Sequence, residues 1–303
     1  MKTLALLFLF AAVSASAIDW KQTDQSLALT SGTNVIWQFN YSKDEGKPYF
    51  HPLTVNGACG AAGGVALTAY RPPDHAWHLA LWFSWKYLNG INYWEFAKGE
   101  DKPLGVTELL DVKVEPRADH SARFALSLAY HPRGGANLLT EKRIVEVSAP
   151  DKTGRYVIDW DATFTAGDTP VELERTKPYT SKDGVKHGGY AGLSLRMAAE
   201  TKDWKFFDSD NRTTDKVSGF PGRWFAAAGP EATIAILDHP QSFRHPTPWY
   251  LVQKMPFYEA AIIFNEPHTV PAGGKISLRN RILVRPGQAT AKALDAEWKS
   301  FAK

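Results

Sequence analysis

Three stretches of the chain concentrate side chains able to move protons, hold anions or stack on rings. The first contains Tyr49-Phe50-His51-Pro52-Leu53, Tyr70-Arg71-Pro72-Pro73-Asp74-His75-Ala76-Trp77-His78, Leu81-Trp82-Phe83-Ser84-Trp85 and Asn89-Gly90-Ile91-Asn92-Tyr93-Trp94-Glu95. Imidazole titrates near neutrality, so His51, His75 and His78 beside Arg71 and Asp74 provide a general acid, a general base and an anion-stabilising cation. In that reading His78 or His51 moves the proton, Asp74 orients an imidazole, and Trp82 and Trp85 stack on a ring. The plainer reading makes Pro72-Pro73-Asp74 a turn and the histidines hydrogen-bonded supports for the aromatic strand that follows. A third reading takes His51, His75 and His78 as ligands of a divalent metal, although H-x-x-H spacing by itself belongs to no specific metal motif.

The second stretch is Leu237-Asp238-His239-Pro240-Gln241-Ser242-Phe243-Arg244-His245-Pro246-Thr247-Pro248-Trp249-Tyr250. Its three prolines predict a rigid, irregular loop. Trp249 would stack on a ligand ring while His239, Arg244 and His245 contact hydroxyls or a carboxylate; alternatively the segment is a Pro-rich cap closing one end of a sandwich. In the third stretch, Lys186-His187-Gly188-Gly189-Tyr190-Ala191-Gly192-Leu193-Ser194-Leu195-Arg196, the glycines permit close backbone approach and place His187 and Tyr190 as binding candidates. Glu141, Arg143 and Glu266 are isolated charges, read as surface or sheet residues, with Glu266 kept among the binding candidates. No G-x-S-x-G elbow marks a serine hydrolase, and no Gly-Lys-Ser/Thr helix start marks a phosphate loop. A standard glycosidase needs two carboxyl groups roughly 5 to 9 Å apart, and the sequence singles out no such pair.

The elements that must bring these stretches together read mostly as strands. Val35, Trp37, Phe39 and Tyr41 share one face at a period of two, as do Phe124, Leu126, Leu128 and Tyr130; Tyr156, Ile158, Trp160, Ala162 and Phe164; and Ile276, Leu278, Asn280, Ile282 and Val284. Turns carry Gly and Pro, as in Pro132-Arg133-Gly134-Gly135 and Ala272-Gly273-Gly274. One helix is predicted, over about residues 288–302, with Leu294, Trp298 and Phe301 forming its stripe. Many short strands without alternating helices predict an all-β fold, a large antiparallel sandwich with a C-terminal helix. No repeat or linker divides the chain, so residues 18–303 are expected to form one domain.

Composition narrows the function classes. A net charge of +3 over 303 residues, with scattered Lys and Arg, gives no electrostatic footprint for nucleic acid. The 11 Trp mean extra core, or faces on which sugar rings stack. Cys59 is the sole cysteine, which excludes a disulfide scaffold; a lone thiol in an exported protein is expected to be buried rather than catalytic. At the start, Lys2, the apolar run Leu4 to Val13 and Ala15-Ser16-Ala17 read as a secretory signal peptide over residues 1–17, cleaved before Ile18. The expected mature protein is soluble, without a membrane anchor, and periplasmic or extracellular.

With these motifs side by side, the chain resembles the exported bacterial proteins grouped as PmoA-like. The resemblance runs through Phe50-His51-Pro52-Leu53, Pro73-Asp74-His75 and His78, Leu81-Trp82, Asn89-Gly90, Trp94, Gly188-Gly189-Tyr190, Gly192-Leu193 and Arg196. It continues through Asp238-His239-Pro240, His245-Pro246-Thr247-Pro248-Trp249-Tyr250 and Glu266-Pro267. Where that pattern carries a further His and a basic residue, this chain has Ala76-Trp77-His78-Leu79-Ala80. The methane-oxygenase label attached to that group implies no activity here, because the particulate enzyme's subunit is an integral membrane protein and this sequence has no spanning stretch. The resemblance implies a galactose-mutarotase-like supersandwich, a fold common among carbohydrate-active proteins, and hence a sugar ligand. Two functions follow: a hydrolase, lyase or epimerase acting on a sugar, glycoside or keto-sugar through His-based acid/base chemistry, or a carbohydrate-binding protein without turnover. No cofactor is required by either. Both need the three stretches to converge.

Overall fold

The structure, a computed structural model, describes residues 18–55 and 65–303. The expected signal peptide and Cys59 lie outside the described residues.

Two large antiparallel sheets face each other, as the alternation predicts. The first runs in the order β1 (Ile18–Gln22), β2 (Ser26–Ser31), β3 (Asn34–Asn40), β4 (Tyr49–Val55), β6 (Leu81–Ser84), β14 (Gly192–Arg196), β19 (Phe257–Ala261), β18 (Trp249–Val252), with the short β5 (Val65–Ala66) paired to β4. The second runs β15 (Lys205–Asp208), β16 (Trp224–Ala228), β17 (Ala232–Asp238), β21 (Lys275–Pro286), β12 (Tyr156–Ala166), β11 (Leu139–Val147), β10 (Ala122–Pro132), β9 (Gly105–Pro116). A small third sheet, β20 (His268–Val270), β13 (Val171–Glu174), β7 (Tyr87–Leu88), β8 (Ile91–Asn92), lies apart from both ladders.

The core fills the space between the large sheets. Each alternating set turns one face inward, and aromatic pairs cross the gap: Trp37 to Phe124 at 6.3 Å, Phe50 to Trp160 at 6.4 Å and Phe83 to Phe164 at 5.0 Å between ring centres. Most of the tryptophans are core, Trp37, Trp85, Trp160, Trp224 and Trp249 being fully buried. Glu141 and Arg143 are sheet residues, one of the two readings given them, but buried rather than at the surface. Both face inward from β11, where Arg143 Nε and Nη2 donate to Glu141 at 2.6 and 2.9 Å, the Tyr130 hydroxyl donates to the same carboxylate, and the guanidinium lies over Trp160. Mutual neutralisation and a shared aromatic wall make that burial tolerable.

The outer face of the second sheet is covered by the helix α1 (Ala291–Phe301), whose Leu294 and Phe301 pack on Phe207, Trp224, Leu237 and Leu283. The helix begins three residues later than predicted because Thr290 caps it, accepting from the Ala293 N–H. The outer face of the first sheet is buried too, under the loops between β5 and β9, by a separate cluster that includes Leu79, Trp82, Trp94, Tyr250, Phe257 and Phe264. That second layer of burial makes the site.

Candidate functional site

Strand parity sets the floor of a cavity of about 280 Å³. On β6, Leu81 and Phe83 enter the core while Trp82 turns outward; on β19, Tyr258 enters the core while Phe257 and Ala261 turn outward. On β18 the core takes Trp249 and Leu251, and Tyr250 and Val252 turn outward. Trp77 and Trp94 from the covering loops, Tyr190 from the loop before β14, and Tyr250 and Phe257 from the floor line the cavity, together with His75, His78, Glu95 and His187. Gly189 is what lets the Tyr190 segment lie close: its φ is +102°, and a Cβ there would sit 2.3 Å from the Phe264 ring.

Glu95 is the most heavily bonded polar group. Its Oε1 accepts from the Tyr190 hydroxyl at 2.5 Å, and its Oε2 accepts from Asn92 Nδ2 at 2.7 Å and from the Lys86 ammonium. Burial pushes this carboxyl upward, but the Lys86 charge and the three donors outweigh burial and hold it below the usual carboxylate range. Lys86 is itself buried, with its ammonium 4.7 and 5.1 Å from the ring centres of Tyr87 and Tyr190. Burial, with the Glu95 charge adding to it, raises the Tyr190 phenol, which therefore stays a donor.

The two histidines beside it differ in environment. His78 is 3% exposed, stacked at 4.9 Å on Phe257 and 5.1 Å from Trp82, with its Nδ1 buried and unpartnered. Burial, then the neighbouring His75 and Arg196, push its pKa down to about 2. The ring is a neutral part of the wall. A side-chain ¹⁵N titration is therefore expected to show His78 without an inflection between pH 4 and 8; an inflection near pH 6 would overturn this placement. His75 is a third exposed, and its Nδ1 lies 3.2 Å from Asp74 Oδ2. Arg196 Nη2 donates to both oxygens of Asp74 at 2.9 and 2.7 Å, which fixes the carboxylate that faces the imidazole.

A family model described as a family of unknown function, DUF6807, matches residues 26–299. The chain belongs to the DUF6807 family. A search of curated proteins found no match.

In this DUF6807 chain the first and third stretches each send several residues into the cavity, and the second sends one. His75, His78 and Glu95 from the first and His187 and Tyr190 from the third share the cavity, whereas from the second only Tyr250 reaches it. His239, Arg244 and His245 serve elsewhere. His239 packs edge-on to Phe301, 3.2 Å from Arg279 Nη1, and His245 stacks on Trp298 with its Nδ1 2.8 Å from Asp238 Oδ2. Arg244 donates to the carbonyls of Ile262, Glu266 and Pro267, while the Glu266 side chain is 74% exposed. This stretch links β17 of one large sheet to β18 of the other and packs against the helix.

The stacking roles expected of Trp82, Trp85 and Trp249 are also corrected. Trp85 and Trp249 are fully buried in the core and Trp82 lies beneath His78, so none offers a free ring face; Trp77 and Trp94 form the wall instead. His51 points away, its Nδ1 2.9 Å from Thr68 Oγ1 and its ring against Tyr70. The trio His51, His75 and His78 is thus not assembled, and among the described residues no group of three His, Cys, Asp or Glu side chains is placed to hold a metal ion. Arg71 pairs with Glu45 at 2.7 Å and lines a neighbouring cavity. Glu95, Tyr250 and Phe257 were missing from the sequence-based candidates. Glu95 stood within the first stretch and Tyr250 next to Trp249, but Phe257 carries no local signal.

Proposed function

We propose that this chain is an exported carbohydrate-active protein that holds one sugar ring in the aromatic cavity and acts on it through His75. The observation that carries the reading is one small cavity combining Trp77, Trp94, Tyr190, Tyr250 and Phe257 with the Asp74–His75 pair. Aromatic faces match the C–H faces of a pyranose, and the Tyr190 oxygen, whose hydrogen goes to Glu95, can accept from a ring hydroxyl. Proton transfer moves from His78 to His75, since an imidazole with a pKa near 2 is too weak a base at neutral pH. Asp74, pinned by Arg196, lies 3.2 Å from the His75 Nδ1, within ion-pair reach though without a hydrogen bond, and so sets a fixed negative charge beside the imidazole that acts. The resemblance to exported PmoA-like proteins and the leader-like residues 1–17 support export, and among the described residues no helix is long and apolar enough to cross a membrane.

The test is mass spectrometry of the protein incubated with a panel of glycosides and keto-glycosides. A product whose rate falls about 100-fold or more in His75→Ala, with sugar affinity changed little, is the expected result. A binding protein without turnover is the second reading, favoured by the full occupancy of Glu95 and the neutrality of His78. Sugar binding with no product from any panel member would select it. N-terminal sequencing of secreted protein, expected to begin at Ile18, tests export separately.

A further inference from the structure

Adjoining the first is a second cavity of about 380 Å³, and Trp77 and Trp94 line both. Its chemistry differs from the first. Lys47 lines it, 8% exposed, with its ammonium donating to the Tyr93 carbonyl and, among the described residues, no carboxylate within ion-pair distance. Thr107 on β9 lines it too, 7% exposed, with its Oγ1 buried and unpartnered. Among the described residues the acids along this cavity form no ion pair with Lys47, although the Glu45 charge, with that of Glu95, partly offsets its burial. Glu45 is taken by Arg71 and the Tyr70 hydroxyl, Glu108 lies 3.4 Å from His131, and Asp44 and Asp101 sit on the exposed rim.

The backbone is shaped to put Lys47 there. Gly46 has φ +76°, and a Cβ on it would lie 2.2 Å from the Thr107 carbonyl oxygen, so only glycine lets this turn rest on β9 and direct Lys47 inward beside Thr107. A buried ammonium with one neutral acceptor and a buried hydroxyl with none are costly unless something else completes them. Burial, the largest influence on the amine, lowers it to about 8, and an anion in the cavity would reverse that.

We propose that this second cavity receives the anionic group of an acidic saccharide whose neutral ring sits in the first cavity, with Lys47 and Thr107 as its partners and Trp77 and Trp94, which line both cavities, beside both units. The inference rests on the sugar reading above and names its substrate class: at least two units, one bearing a carboxylate or a sulfate.

Calorimetric titration of the full chain with neutral disaccharides and with their uronate-bearing and sulfate-bearing counterparts tests it. Wild-type protein is expected to bind one acidic series at least about 10-fold more tightly than the neutral one, a single charge-assisted contact being worth that much. Which series wins identifies the anion. Lys47→Met should abolish the preference, and Thr107→Val, a smaller change that keeps the fold should Lys47→Met not, should reduce it several-fold. Neutral and acidic sugars bound equally by wild type, or a preference kept in both variants, would overturn this inference and leave the sugar site standing. No binding of any saccharide would overturn both.

Discussion

Replacing Lys86 with Met is expected to lower the unfolding free energy by about 3 kcal/mol at pH 7, the cost of leaving a mostly buried carboxylate without its counter-ion. Lys86 is 2% exposed and meets Glu95, which keeps only Asn92 and Tyr190 once the ammonium is gone. In the wild type the Glu95 carboxyl sits below its ordinary value, so its stabilising contribution is present above about pH 4.5 and fades as pH falls through the folded-state value. Without Lys86 the burial that opposes ionisation wins, and the sign reverses. The deficit of the variant should therefore shrink as pH is lowered from 7 to 4, and Lys86→Met with Glu95→Gln should recover most of the loss. Urea denaturation of the wild type, both single variants and the double variant measures this; a single-variant cost below about 0.5 kcal/mol would show that the pair does not hold the cavity wall.

Glu259→Gln is expected to stabilise the protein at pH 8 by on the order of 4 kcal/mol and to change little near pH 4. Glu259 is fully buried on β19, on the outward parity shared with Phe257 and Ala261, and so belongs to the layer beneath the cavity. Its Oε2 accepts from the Ser194 hydroxyl at 2.8 Å and its Oε1 has no partner. Burial pushes this carboxyl up to about 8. The folded state then keeps a proton that the unfolded state releases near pH 4.5, so stability declines as pH rises from about 4.5 to about 8 and levels off beyond. Gln keeps the Ser194 contact and does not titrate. Denaturation profiles of the two proteins from pH 4 to 8 should diverge steadily, and parallel profiles would mean that burial does not raise the Glu259 carboxyl.

Much of the candidate site was legible as composition and little of it as geometry. The stretch ending in Trp94-Glu95 and the Gly-Gly-Tyr190 segment both reach the cavity, because aromatic and polar groups concentrated beside turns were read for what they are. The Pro-rich stretch stayed open between two readings, since His239, Arg244 and His245 look equally suited to a ligand and to the carbonyls, Asp238 and Trp298 that they engage. A side chain's partner across the fold leaves no trace in the residues beside it.

By itself the sequence determined the all-β class, the long alternating strands of the second sheet and the C-terminal helix, since their apolar periodicities survive wherever one face meets water or a single partner. Tertiary structure alone decided which side of the first sheet becomes core and which becomes cavity. Along β6, β14 and β19 every residue is buried, because the core covers one face and the loops cover the other. A strand buried on both faces has no polar alternation to reveal its parity. Parity at β18 places Trp249 in the core and Tyr250 in the cavity, and only packing against both layers could set it.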